Sequence, residues 1–356
     1  MHMQSETETK IEAGTLRIGR NLKFYEKTKN GWKKSQKQIP ETIHAVKLFK
    51  AHHTFKELID KKEPQFLKGQ LSPNNKIQGA RINILPDGKK LDKAFSLFAK
   101  NLTIHDETSS DHWDVLYQNP NKEYAYLYTQ EKKQKAVKKK YQAVNEFEKK
   151  YPIIQKKVMN ALKNKNDLLA VPMYTLLKTY MRIGNEIYYK THGHKGLTTL
   201  KKKDILINKN QVTFNYLGKN GVPIKTAEKF PAVYIQRLKE AIKPLKNDDF
   251  IFTDKNTGHP LHDTQFKEAF KQYCGQEFYP HIVRAYYATS TAEKFLKNKK
   301  SATKQEVKKL FTSIADKLGH RKFDKKENEW KDNYNVTIHY YIQPNLVEKI
   351  NSLIKA

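Results

Sequence analysis

Near residue 130 the hydrophobic pattern of this chain changes its period, and that change limits the fold to two separately packed parts. Between residues 14 and 128, short β-like runs at Leu16–Ile18, 81–85 and 124–128 alternate with turn signals such as Lys29-Asn30-Gly31 and Pro86-Asp87-Gly88. Helical stretches are expected at residues 40–50 and 91–100. This predicts a small mixed α/β domain over 11–130, preceded by a frayed, polar segment 1–10. Residues 131–150, EKKQKAVKKKYQAVNEFEKK, have the composition of a basic linker helix, with Lys138, Lys139 and Lys140 placed either along a phosphate backbone or in solvent. From 151 to 356 the pattern is mainly helical with one β-hairpin, so the expected class is α+β.

A length of 356 residues is enough for a sizeable core in each part. Sixty-eight basic residues against 37 acidic ones give a formal charge of +31. An excess of that size calls for a polyanion, and nucleic acid is the usual one; lysine bias with a solvated surface is the alternative. Only seven of the basic residues are arginine, at positions 17, 20, 81, 182, 237, 284 and 321, which marks those positions as ones where a planar two-pronged cation could grip phosphate or carboxylate.

Several classes drop out. The single cysteine, Cys274, excludes an internal disulfide and a cysteine zinc cluster. No run approaches the ~18 apolar residues of a spanning helix, and the start, MHMQSETETK, lacks a secretory core, so no membrane role and an intracellular setting are expected. No phosphate-binding Gly-x-x-x-x-Gly-Lys-Ser/Thr loop occurs, so ATP use is not expected. Asp106, Glu107, Asp111 and Asp114, with His105 and His112, lack regular ligand spacing and read as a solvated loop rather than a magnesium site. No cofactor is expected.

The second half carries the chemistry. Asp167 is expected to cap a helix running through Tyr189, unless Pro172 marks its start, with Arg182 late in it and paired to Glu186. Gln211–Leu217 alternates as a strand and leads into the tip Gly218-Lys219-Asn220-Gly221, which projects Lys219. His281 and Arg284 share one face at a helix start, where free backbone N–H groups favour an anion. Thr303 and Glu306 form a capping box for a helix that stops at Gly319, leaving His320 exposed. Tyr340 and Tyr341 precede a last helix at Pro344.

In that order, Arg, hairpin Lys, His-x-x-Arg, Leu-Gly-His and Tyr resemble the strand-transfer apparatus of type IB DNA topoisomerases and tyrosine recombinases. Arg182-Ile183-Gly184-Asn185-Glu186 with Tyr188, then Gly196-Leu197-Thr198-Thr199-Leu200, is similar to the type IB box. So are Phe214-x-Tyr216-Leu217-Gly218-Lys219-x-Gly221 and Tyr341-Ile342-x-Pro344. The match covers about residues 165–350; Trp113-Asp114-Val115 and Tyr124-Ala125-Tyr126 fit the family's DNA-clamping domain only loosely. Two departures stand out. His281 replaces a more usual lysine, and Tyr341 lies 21 positions after His320, across a polar insertion at 324–335, which leaves Tyr340 and Tyr334 as alternatives.

The resemblance implies a monomer that clamps double-stranded DNA and relaxes supercoils without ATP or metal. It implies Tyr341 as nucleophile, Arg182, Arg284 and His320 as donors to the phosphate oxygens, and Lys219 as general acid. His281, Tyr188, Lys138, Lys139 and Lys140 would be DNA contacts. A tyrosine recombinase, favoured by His281, and a non-catalytic architectural DNA-binding protein are the other readings.

Overall fold

The computed structural model describes residues 11–105, 112–297 and 299–354, and the expected frayed segment 1–10 lies outside them. The chain divides into two units, the first ending at Lys139 and the second beginning at Lys140.

In the first unit, strands β1 (Leu16–Ile18), β2 (Phe24–Thr28), β3 (Gly31–Lys34), β4 (Gln70–Leu71) and β5 (Ile77–Gln78) form one antiparallel sheet in the order β3-β2-β1-β4-β5. Helix α1 (Pro40–Ala51) buries Ala45, Val46 and Phe49. Strands β6 (Ile82–Ile84) and β7 (Lys90–Phe95) pair with each other, and β8 (Lys100–Ile104), β9 (Val115–Gln118) and β10 (Tyr124–Leu127) form a third sheet. The helix expected over 91–100 is therefore absent. Leu91 and Phe95 are four apart, a spacing that serves one face of a helix and one face of a strand alike, and the register of Phe95 against Ile82 decides for the strand. Asp114 is buried at 4% exposure, accepting the Thr129 N–H at 2.8 Å and the Lys132 ammonium at 2.6 Å, so it belongs to the fold. Asp106, Glu107 and Asp111 lie outside the described residues.

Helix α2 (Gln130–Ala161) crosses the division in sequence and extends past the expected 131–150. Its buried residues, Tyr141, Val144, Phe147, Ile154 and Val158, fall on one helical face, and the apolar spacing beyond 150 carries the helix on. In the second unit follow α3 (Ala170–Thr179), α4 (Glu186–His192), the sheet β11 (Ile205–Asn208), β12 (Gln211–Leu217) and β13 (Pro223–Lys229), and α5 (Ala232–Ile242). Then come α6 (Asp263–Cys274), α7 (Ile282–Leu296), α8 (Lys304–Lys317), the hairpin β14 (Arg321–Asp324) and β15 (Glu329–Asp332), α9 (Asn335–Tyr340) and α10 (Pro344–Ser352). One core gathers Phe147, Phe214, Tyr234, Phe266 and Phe270; another gathers Ala288, Phe311, Ile314, Tyr341, Ile342 and Ile350. Each fully buried side chain of this size contributes roughly 1.5–3 kcal/mol through area removed from water.

The expected layout of this unit changes at two places. The helix expected through Tyr189 breaks at Tyr180, whose φ of 57° is left-handed, and restarts at Asn185, whose side chain caps α4 by accepting the Tyr188 N–H at 3.0 Å. Asp167 does accept the N–H groups of Leu169 and Ala170, but the helical spacing that ran on through Ile187 is spurious, since that side chain is 74% exposed. The polar insertion at 324–335 is mostly a hairpin, followed by the unforeseen α9. Among the described residues no helix is long and apolar enough to cross a membrane.

Candidate active site

Two glycines shape the segment that carries Arg182. With the helix broken at Tyr180, residues 181–185 run as a non-helical connection, in which Gly184 has φ +106°. Gly196 packs so closely against it that an added Cβ would lie 2.6 Å from the Gly184 nitrogen and 2.7 Å from the Arg182 carbonyl oxygen. Backbone bonds seal the contact: the Leu197 N–H donates to Arg182 O at 2.8 Å and the Thr198 N–H to Ile183 O at 2.7 Å. The Arg-x-Gly-Asn and Gly-Leu-Thr-Thr segments thus form one backbone joint, holding Arg182 half-buried. Glu186 pairs with Lys190 and His259 rather than with Arg182 as expected.

Lys219 stands exposed at the tip between β12 and β13, where Asn220 and Gly221 take positive φ of 62° and 75°. The hairpin is moored near its tip. Gly319, with φ +65°, ends α8 so close to Ile224 of β13 that an added Cβ would sit 2.5 Å from the isoleucine Cδ1. Lys317 of α8 pairs with Glu228 of β13. This places Lys219 and the residue after Gly319 at one opening.

That residue, His320, is not exposed as expected: it is buried at 6% exposure. Arg284 of α7, at 2% exposure, is the hub. Its guanidinium donates to the carbonyls of Tyr180 and Leu318 and to His320 Nε2 at 3.1 Å. Because arginine only donates, Nε2 is the acceptor, and the neutral ring then gives its Nδ1 proton to the Thr337 hydroxyl at 2.8 Å. The Arg284 Nε is buried with no partner among the described residues.

Tyr341, at 4% exposure, closes the group. Its hydroxyl is 2.9 Å from Nε2 of His281, its ring lies 4.7 Å from that of His320, and the Arg284 guanidinium carbon is 5.3 Å from its centroid. Burial and the nearby Arg284 and Arg182 push both histidines down to about 3, so both are neutral at pH 7. Burial by itself would raise the Tyr341 phenol; Arg284, Arg182 and Lys140 overcome it and hold the phenol below its usual value. Of the alternatives, Tyr340 is 53% exposed and Tyr334 packs on Phe311.

Arg182, Lys219, Arg284 and His320 line one cleft of about 440 Å³, and Arg182 and Lys219 also line a depression of about 320 Å³ that His281 borders. Among the described residues no carboxylate lies within ion-pair distance of Arg182, Lys219 or Arg284, nor of Lys140, and no group of three or more His, Cys, Asp or Glu is placed to hold a metal ion. Cations gathered without a counter-ion, one of them buried, are costly unless an anion joins them. Tyr188 is exposed on α4 and lines neither depression. Lys138 and Lys139 are exposed on α2, in the stretch belonging to the first unit. Lys140 is not a free surface cation, because its ammonium donates to the Tyr340 carbonyl. Sequence reasoning missed this bond and the Thr337 hydroxyl, since neither has a local spacing signal.

The profile of the eukaryotic DNA topoisomerase I catalytic core matches residues 129–341. A DNA topoisomerase 1B of Acanthamoeba polyphaga mimivirus is 25% identical over 214 residues, which is 55% of this chain and 63% of the viral protein, so the chain spans less than two thirds of that relative. Two solved structures of the XerH site-specific recombinase also match. The pre-cleavage complex with difH substrate has TM-score 0.34 at 18% identity, covering 56% of this chain and 52% of the recombinase. The post-cleavage complex with palindromic difH has TM-score 0.36 at 19% identity, covering 56% and 50%.

Proposed function

Because the chain belongs to the family of the eukaryotic DNA topoisomerase I catalytic core, we propose that it relaxes supercoiled duplex DNA as a type IB topoisomerase, cutting one strand through a 3′-phosphotyrosyl bond to Tyr341 and then rejoining it. The observation that carries this reading is the Tyr341 hydroxyl set against Arg284 and His281 beside a cleft in which Arg182, Lys219 and Arg284 have no carboxylate partner among the described residues.

The Tyr341 oxygen forms a bond to the backbone phosphorus as the bond from phosphorus to the 5′ oxygen breaks. The phenolic proton passes to His281 Nε2, a neutral acceptor already at hydrogen-bond distance. Lys219, on its exposed tip, gives the departing 5′ oxygen its proton. Charge on the non-bridging oxygens is met by the N–H groups of Arg182 and Arg284, and His320 serves through Arg284, whose guanidinium it orients. One ester replaces another, so the reverse step reseals the strand, and neither ATP nor a metal ion is needed to drive it. The charge of +31 favours a clamp on one duplex, bound by a monomer with little sequence choice and steep salt dependence.

The test is relaxation of supercoiled plasmid in EDTA without ATP, quenched with detergent. Ladders of topoisomers and a protein–DNA adduct, both lost in Tyr341→Phe and kept in Tyr340→Phe, are expected. DNA binding with neither product overturns the reading, and adduct formed only between two paired duplexes points to a recombinase.

A further inference from the structure

Three consecutive carbonyls around the tyrosine are each held by a side chain from another element. The Tyr340 carbonyl takes the Lys140 ammonium, the Tyr341 carbonyl takes the Thr289 hydroxyl of α7 at 3.3 Å, and the Ile342 carbonyl takes the Tyr141 hydroxyl of α2 at 2.7 Å. Two of the three donors are neighbours on α2, so one turn of that helix grips the chain on both sides of Tyr341. The grip lies where α9 has ended at Tyr340 and α10 has not begun, so no helical bond fixes these carbonyls. Lys140 does more than bond: its nitrogen also stands 5.4 Å from the centroid of the Tyr341 ring.

We propose that Lys140 is a positioning residue for Tyr341, its ammonium tying down the Tyr340 carbonyl and standing over the phenol ring, so that one side chain of α2 both places the hydroxyl and supplies a cation to the phenolate it becomes. The inference rests on the reading of Tyr341 as nucleophile for its consequence in cleavage, but the hold itself is independent of it. Around the phenol the other charged or titratable groups are Arg284 and His281 from the α7 end, Arg182 from the connection after α3, and His320 after α8. Lys140 is the one that reaches it from α2. Burial lowers the affinity of Lys140 for its proton, while the facing Tyr341 opposes that change. Sequence alone suggested a phosphate for Lys140; the fold gives it a tyrosine.

The test uses the full chain with Lys140→Met, Lys140→Gln and Lys140→Arg. Glutamine can still donate to the carbonyl but carries no charge, which separates placement from electrostatics and keeps the test decisive if the methionine variant misfolds. First, DNA-free protein labelled at tyrosine Cζ is titrated by NMR, with the Tyr341 signal identified by its loss in Tyr341→Phe. The Met and Gln variants should ionise at higher pH than the parent, and the Arg variant should stay close to it. Second, single-turnover cleavage is followed from pH 7 to 10. The Met variant should cleave about tenfold slower at pH 7, equivalent to one unit of phenol ionisation, with the gap closing as pH rises and Arg restoring the rate. An unchanged titration overturns the proposal, as does slowing by the same factor at every pH. A salt dependence of DNA affinity reduced by about one phosphate contact, with titration unaltered, returns Lys140 to the DNA backbone. If the parent forms no adduct at all, the topoisomerase reading fails while the titration still decides whether Lys140 holds Tyr341.

Discussion

The hydroxyl of Tyr341 lies 2.9 Å from Nε2 of His281, and the two side chains come from positions 60 residues apart. Burial and the facing cations keep His281 neutral, and in the tautomer with its proton on Nδ1 the Nε2 lone pair accepts the phenolic O–H. The cations that depress the histidine also favour the phenolate, so the proton transfer is promoted from the tyrosine side while the acceptor stays weak. Replacing His281 by alanine is expected to slow single-turnover cleavage by about 10²-fold. Binding of uncleaved DNA should stay unchanged, and the deficit should narrow above pH 9. Equal rates for parent and variant across the pH range would remove the histidine from the proton path.

Arg284 and Arg182 should separate in a melting experiment. Arg284 satisfies the buried carbonyl of Leu318 and the part-buried carbonyl of Tyr180, so Arg284→Ala strands the first at about 1–3 kcal/mol, leaves the second to water, and should lower the melting temperature by a few degrees. Arg182 is half-buried and makes no ion pair among the described residues, so Arg182→Ala should melt near the parent temperature yet lose about 10²–10³ in cleavage rate. Loss of stability from Arg182→Ala comparable to that from Arg284→Ala would contradict this division.

Gly196→Ala is expected to be far more damaging than Gly193→Ala. The first puts a methyl group 2.6 Å from the backbone of Gly184, which cannot yield as a side chain can, and so displaces Arg182. The second meets open space and bears only the cost of a positive φ, about 1 kcal/mol. Relaxation activity and thermal melting together check it: both should fall in the first variant, and only melting, slightly, in the second.

The two histidines predict an acid-side loss of stability. Each is held at about 3 in the folded chain against 6.5 unfolded, so between those values the unfolded state binds more protons. Stability should therefore be fully present above pH 6.5 and fall as pH drops toward 3. Each histidine contributes up to about 1.4 kcal/mol per pH unit to that slope. Urea unfolding at pH 4, 5, 6 and 7 should show a shallower slope for His281→Asn than for the parent; parallel curves would mean the imidazole titrates normally.

The sequence by itself carried the local part of this protein: the change of period near residue 130, the turn that lifts Lys219, the capping box at Thr303, and the motif order from Arg182 to Tyr341 that betrays the family. These rest on spacing and on residues with strong backbone preferences, which act over a few positions. Where the spacing fitted two structures it misled, as with Leu91 and Phe95, or with the helix drawn across Tyr180. The tertiary structure decided the rest. It buried His320 against Arg284, gave Glu186 to Lys190 and His259, brought His281 to the phenol, and turned Lys140 inward to the carbonyl beside it. Those pairings join residues up to 200 positions apart. Their energy depends on distance and burial, quantities that exist only once the chain has closed on itself.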